Sequence, residues 1–125
     1  MPTPIETVEA FLARLGEPGG FAASVTQWFT PETVYENIGM SRTVGIDEAL
    51  AFVTEFERGF GAIAIRVETL AICAVGNKVL TERIDYVMNA AGAPAMTIPL
   101  MGVFEVADGR ITAWRDYFDT RAVMG

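Results

Sequence analysis

Histidine is absent from this chain and cysteine occurs once, at Cys73. The first absence removes the usual general base near neutral pH and the commonest nitrogen ligand for metals. The second excludes an internal disulfide and favours a reducing, cytoplasmic setting. If this is an enzyme, carboxylates must move its protons. Cations are also scarce: nine basic against sixteen acidic residues give a net charge of −7 and a pI near 4.5. Such a surface repels phosphate backbones and anionic headgroups, so neither nucleic acid nor membrane is an expected partner. No apolar run approaches the roughly 20 residues a bilayer span requires. Met1-Pro2-Thr3-Pro4-Ile5-Glu6 also lacks the basic and apolar regions of a secretory signal.

What the chain does have is apolar content. Its 125 residues, enough for one domain spanning 1–125, are 51% hydrophobic with a mean hydropathy of +0.32. That surplus implies a large core, a lined pocket or a subunit interface, and the interface is the preferred expectation.

The pattern along the chain changes once. Thr3 and Glu6 read as a capping box opening a helix whose apolar positions Ile5, Val8, Phe11, Leu12 and Leu15 run to Gly16. Phe21–Phe29 reads as a second helix ended by Thr30-Pro31, and Asp47–Arg58 as a third closed by Gly59, with a short strand over Thr33–Ile38 between them. From Ala62 onward the period is that of strands. Runs over Ala64–Val75, Lys78–Asn89, Ala95–Val106 and Arg110–Thr120 are joined by the turn signals Gly76-Asn77 and Asp108-Gly109, with a looser loop over Asn89–Pro94. Helices followed by a long antiparallel meander give an α+β domain with helices on one face of a curved sheet.

Strand parity sharpens the reading. Residues i and i+2 share a face, so Thr81, Arg83, Asp85 and Val87 point one way, as do Thr112, Trp114, Asp116 and Phe118. Asp116 between two aromatic residues suffers desolvation unless a cation or proton joins it, and Arg83 is the candidate cation. Taken one at a time these residues have plain explanations. An arginine with two aspartates commonly forms a structural ion network, and Tyr35 and Asn37 at a strand end commonly satisfy backbone groups. Trp114, Phe118, Phe56 and Phe60 are by default core, Met40 and Met101 packing, and Glu82 and Arg115 outward-facing. The functional reading comes from Tyr35, Asn37, Arg83, Asp85 and Asp116 occurring together at matching parity.

Val34-Tyr35-Glu36-Asn37, Thr81-Glu82-Arg83-Ile84-Asp85 and Trp114-Arg115-Asp116-Tyr117-Phe118-Asp119 together resemble the limonene-1,2-epoxide hydrolase family. That family is a branch of the fold shared with nuclear transport factor 2, ketosteroid isomerase and polyketide cyclases. The resemblance implies a cone-like, mixed but mostly antiparallel sheet with the N-terminal helices on its concave face, and a homodimer. It also implies roles: Asp116 as general base toward water, Tyr35 and Asn37 as the holders of that water, Asp85 as general acid toward the epoxide oxygen, and Arg83 as the bridge between the aspartates. Under it the partners are a small hydrophobic epoxide and a catalytic water, with no cofactor. No metal is expected, because histidine is absent and Arg83 would repel a cation.

Continuing the inward parity assigns Val87, Phe118 and either Ile98 with Leu100 or their neighbours on the third long strand to an apolar substrate pocket, with Phe56 and Phe60 closing it from the third helix. Two rivals use the same residues. One is an isomerase or cyclase of this fold, with an aspartate as base beside a carbonyl and Tyr35 as an oxyanion donor. The other is a non-catalytic binding or dimerisation module in which the five polar residues are only an ion network.

Overall fold

The capping box forms as expected: in the computed structural model, which describes residues 1–124, Glu6 N donates to Thr3 Oγ1 at 3.1 Å and Thr3 N to Glu6 Oε1 at 2.8 Å. Helix α1 (Pro4–Leu15) then buries Val8, Phe11, Leu12 and Leu15, one stripe of an amphipathic helix. Helix α2 (Gly20–Trp28) stops one residue before the expected end, because Phe29 has already turned extended. Helix α3 (Gly45–Phe60) is longer than Asp47–Arg58: it runs through Gly59, and the residue that ends it is Gly61, left-handed at φ 63°.

Strand β1 (Phe29–Asn37) begins before Thr33, and the break in its register between Phe29 and Val34 accommodates Pro31, which has no N–H to donate. A short strand, β2 (Ser41–Val44), pairs with it and was not anticipated. The meander follows as β3 (Ala62–Val75), β4 (Lys78–Asn89), β5 (Pro94–Ala107) and β6 (Arg110–Tyr117), the last shorter than expected because residues after Tyr117 leave the sheet for a one-turn helix, α4 (Arg121–Met124). Asp108 and Gly109 both have positive φ, 51° and 75°, which is why Asp-Gly suits this two-residue turn.

The six strands form one sheet in the order β2-β1-β6-β5-β4-β3. All neighbours are antiparallel except β1 and β6, which run parallel. The sheet is curved but does not close, so the cone is open. Its inner face meets the helices around a core of Phe11, Phe21, Phe29, Phe104 and Trp114, all of them 2% exposed or less. A smaller cluster, Ala62, Val87, Ile98 and Leu100, sits apart from it and borders a cavity. The outward face differs: the apolar run Leu70–Val75 is largely exposed, Cys73 with it, and Met101 is 49% exposed rather than packed. No helix among the described residues is long and apolar enough to cross a membrane.

Candidate active site

Parallel pairing of β1 with β6 sets Tyr35 beside Trp114 and Asn37 beside Asp116. Two strands away, β4 carries Arg83 and Asp85 on the same inward face, with β5 between. The five residues singled out from the sequence therefore converge. Arg83 is 1% exposed, Asp116 4%, Tyr35 5% and Asp85 7%, so four of them lie inside the protein, while Asn37 is half-buried.

The guanidinium organises this cluster. Its Nε donates to Asp85 Oδ1 at 3.2 Å and its Nη2 to Asp85 Oδ2 at 3.0 Å, a two-point grip that suits the planar fork of arginine. The same Nη2 also donates to Asp116, with Oδ1 at 3.3 Å and Oδ2 at 3.2 Å. Nη1 is held by Thr81 Oγ1 at 3.0 Å, whose own proton goes to the Gly102 carbonyl at 3.0 Å. Asp116 receives a second donor, the Trp114 indole N–H, at 2.8 Å. Trp114, expected only as core, thus both stacks on Tyr35 at 4.1 Å between ring centroids and holds the carboxylate two residues along.

One cation faces two acids, so the cluster carries a surplus negative charge when both are ionised, and a single proton neutralises it. Burial pushes the Asp116 carboxyl above the ordinary carboxylate range; Arg83 opposes that rise and Asp85 adds to it. Burial works against the charge on Arg83, but Asp116 and Asp85 outweigh it and hold the guanidinium firmly protonated. The Tyr35 hydroxyl is also pushed up, by burial first and the Asp116 charge second, and stays a donor.

Asp85, Asp116, Tyr35 and Asn37 line a cavity of about 360 Å³, as does Glu55 from α3, while Arg83 lies behind the two acids. Val87, Ile98, Leu100, Phe118, Phe56 and Phe60 all line the cavity. So do Phe21, Phe52, Met40, Met96 and Val123, which were not assigned to it. Phe52 was legible, since Phe52, Phe56 and Phe60 recur at i, i+4 and i+8 on one helical face. Val123 was not, because α4 is too short to show a period. Ser41 is a further addition: its Oγ accepts from Asn37 Nδ2 at 3.1 Å, which leaves the amide oxygen of Asn37 unengaged by that contact.

Over residues 2–125 the chain matches the family model for the limonene-1,2-epoxide hydrolase catalytic domain. The chain belongs to the limonene-1,2-epoxide hydrolase family. It is similar to epoxide hydrolase EphG of Mycobacterium tuberculosis, 40% identical over 112 residues that cover 90% of this chain and 70% of that protein. Among solved structures it resembles an M. tuberculosis LEH-like epoxide hydrolase, with 38% identity, a TM-score of 0.74, and coverage of 95% of this chain and 80% of the other. A putative SnoaL-like polyketide cyclase from Jannaschia shares the fold alone, at 21% identity and a TM-score of 0.71 over 99% of this chain and 92% of that one. As a limonene-1,2-epoxide hydrolase family member, the protein is an epoxide hydrolase by class.

Proposed function

We propose that the protein adds water in one step, without a cofactor, to a small hydrophobic epoxide, cyclic or terpene-like, giving a vicinal diol. The observation that carries this reading is Arg83 Nη2 touching both Asp85 and Asp116, two acids that line a cavity walled mainly by apolar side chains. Water is a poor nucleophile until it loses a proton, and the alkoxide of an opening epoxide is a poor leaving group until it gains one. Each positioned acid or base contributes about 10²–10⁴-fold.

Asp116 acts as the base. Two donors, Arg83 and Trp114, hold its charge in the singly protonated cluster. Its raised pKa makes it a better proton acceptor than an ordinary carboxylate. Tyr35 and Asn37, its neighbours across the strand pair, hold the water: the tyrosine hydroxyl donates to it and the asparagine amide oxygen accepts from it. As the water oxygen bonds to a ring carbon, its proton passes to Asp116. The C–O bond on that carbon breaks, and the epoxide oxygen takes the proton of Asp85. The cluster finishes with its proton on the other aspartate, and exchange with solvent resets it. Val87, Ile98, Leu100, Phe118, Phe56 and Phe60 bind the rest of the substrate by excluding water from it.

Two features of the setting belong to the same reading. The free, exposed thiol of Cys73 suits a reducing cytoplasm. The outward sheet face exposes Leu70, Met101 and Tyr117 around a shallow hollow floored by Ile84 and Pro99, and a second copy of the chain covers it in a homodimer. Light scattering should give the mass of two chains, and a monomer would contradict that assembly.

Turnover of a panel of cyclic epoxides in ¹⁸O water tests the function. A diol carrying one solvent oxygen supports it. Conversion of an enone alone, or of nothing, transfers the protein to isomerisation or to simple binding.

A further inference from the structure

The geometry points to Gly102 and Thr81 as positioning residues for the reaction: the missing side chain at 102 is the passage through which Arg83 reaches Asp116, and the Thr81 hydroxyl fixes the guanidinium in that passage. Arg83 and Asp116 lie on next-but-one strands, whose backbones are about 9–10 Å apart. Gly102 is the residue between them, pairing with Thr81 on one side and Asp116 on the other. A Cβ placed there would stand 2.5 Å from Asp116 Oδ1 and 3.1 Å from Thr81 Oγ1, and would overlap Arg83 Nη1. Any side chain there forces the guanidinium or the Asp116 carboxylate out of its present place.

Backbone conformation offers no other reason for this glycine. Its φ is not positive, and the pairing of β5 with both neighbours runs without a break through it. Glycine inside a strand costs stability, and where neither turn nor bulge needs it, it marks a close approach. Here the approaching group is a guanidinium. Thr81 completes the arrangement. By giving its proton to the Gly102 carbonyl, it turns a lone pair toward Arg83 Nη1, which leaves Nε and Nη2 for the two acids. Neither residue lines the cavity, so both act through Arg83 rather than on substrate.

This inference rests on Arg83 being the bridge of an epoxide hydrolase, and its test separates the two. In kinetics, Thr81→Val is expected to lower kcat about 10-fold or more with KM within about twofold, and Thr81→Ser to restore it. Gly102→Ala is expected to lower kcat about 100-fold and to move the acid limb of the pH profile upward, because Asp116 loses its cation. Independently of turnover, ¹⁵N NMR of the Arg83 guanidinium should show separate, slowly exchanging Nη protons in the native protein and in Thr81→Ser, and averaged ones in Thr81→Val and Gly102→Ala. Native-like guanidinium spectra or native kcat in Thr81→Val overturn the role of Thr81, and a folded, fully active Gly102→Ala overturns the passage. Should Gly102→Ala fail to fold, pairing it with Arg83→Lys decides the passage, while Thr81→Val decides Thr81. The thinner ammonium is expected to restore folding if the clash is with the guanidinium, and no recovery overturns the passage. If the native protein opens no epoxide, the functional reading falls while the NMR comparison still settles the positioning.

Discussion

Arg83 and Arg115 make opposite uses of the same pairing. Arg115 Nη1 meets Glu105 Oε2 at 2.8 Å, closer than Arg83 comes to either of its partners, at 3.0 and 3.2 Å. Yet the Arg115 pair keeps 25% and 29% of its side chains exposed, on the outward face, whereas the Arg83 side chain is fully buried with carboxylates at 10% and 5%. Contact distance does not distinguish a structural pair from a chemical one; dielectric and stoichiometry do. The outward pair is one cation with one anion in water's reach, where coupling is weak. The inward cluster is one cation with two acids in an apolar surround, where each charge acts strongly on the others.

The largest expected difference between the two regions is in stability. Arg83→Ala leaves two buried acids facing each other and should cost about 3–5 kcal/mol at neutral pH, with diol formation lost, as denaturant unfolding and product assays would show. The loss should shrink in acid, since protonating both carboxyls relieves it. Chemistry comes next. Asp116→Asn and Asp85→Asn should each lower turnover by about 10²–10⁴-fold, while a 1:1 pair with Arg83 keeps the fold within about 1 kcal/mol of native. Normal activity in either variant would take that residue out of its role. Tyr35→Phe and Asn37→Ala should cost about 10²-fold in kcat by misplacing the water, with less effect on KM.

The pH dependence sharpens the contrast further. As the proposed base, Asp116 must be ionised to act, and its pKa lies above the ordinary carboxylate range, so activity should fall as pH drops through that raised value rather than near the usual one. The stability effect has the opposite sign. A folded pKa raised above the unfolded one means that the native state holds its proton more tightly, so this stabilisation is present at low pH and fades as pH rises through the folded value. Asp116→Asn should remove that slope from the unfolding curve. The smallest effect is expected outside: Arg115→Ala should change stability by no more than about 1 kcal/mol and leave kcat unchanged. A large loss there would erase the distinction between the two faces.

Which of these features could be read in the sequence follows from their range. The α1 cap and the Asp108-Gly109 turn are local and sit where their residues place them. Inward parity is local too, so Arg83 with Asp85, and Trp114 with Asp116, were legible as pairs. Their meeting, for which Arg83 was the candidate cation, needed the resemblance as well, because parity gives neither the parallel pairing of β1 with β6 nor the place of β5 between β4 and β6. Gly102 and Thr81 acquire meaning only from that register. Strand β2 and helix α4 span four residues each, too few for any period to stand out, and with them went Ser41 and Val123. Exposure of Met101 and Cys73 was hidden for a different reason: an apolar residue on the outward face of a strand reads as core until the side bearing the helices is known.

Titrating ¹³C-carboxyl-labelled aspartate by NMR tests the inward cluster most directly. The native protein should show the Asp116 carboxyl still protonated above the ordinary carboxylate range, and Asp85→Asn, by removing a neighbouring charge, should bring that value down. An Asp116 carboxyl that titrates in the ordinary range and ignores Asp85→Asn would contradict the account.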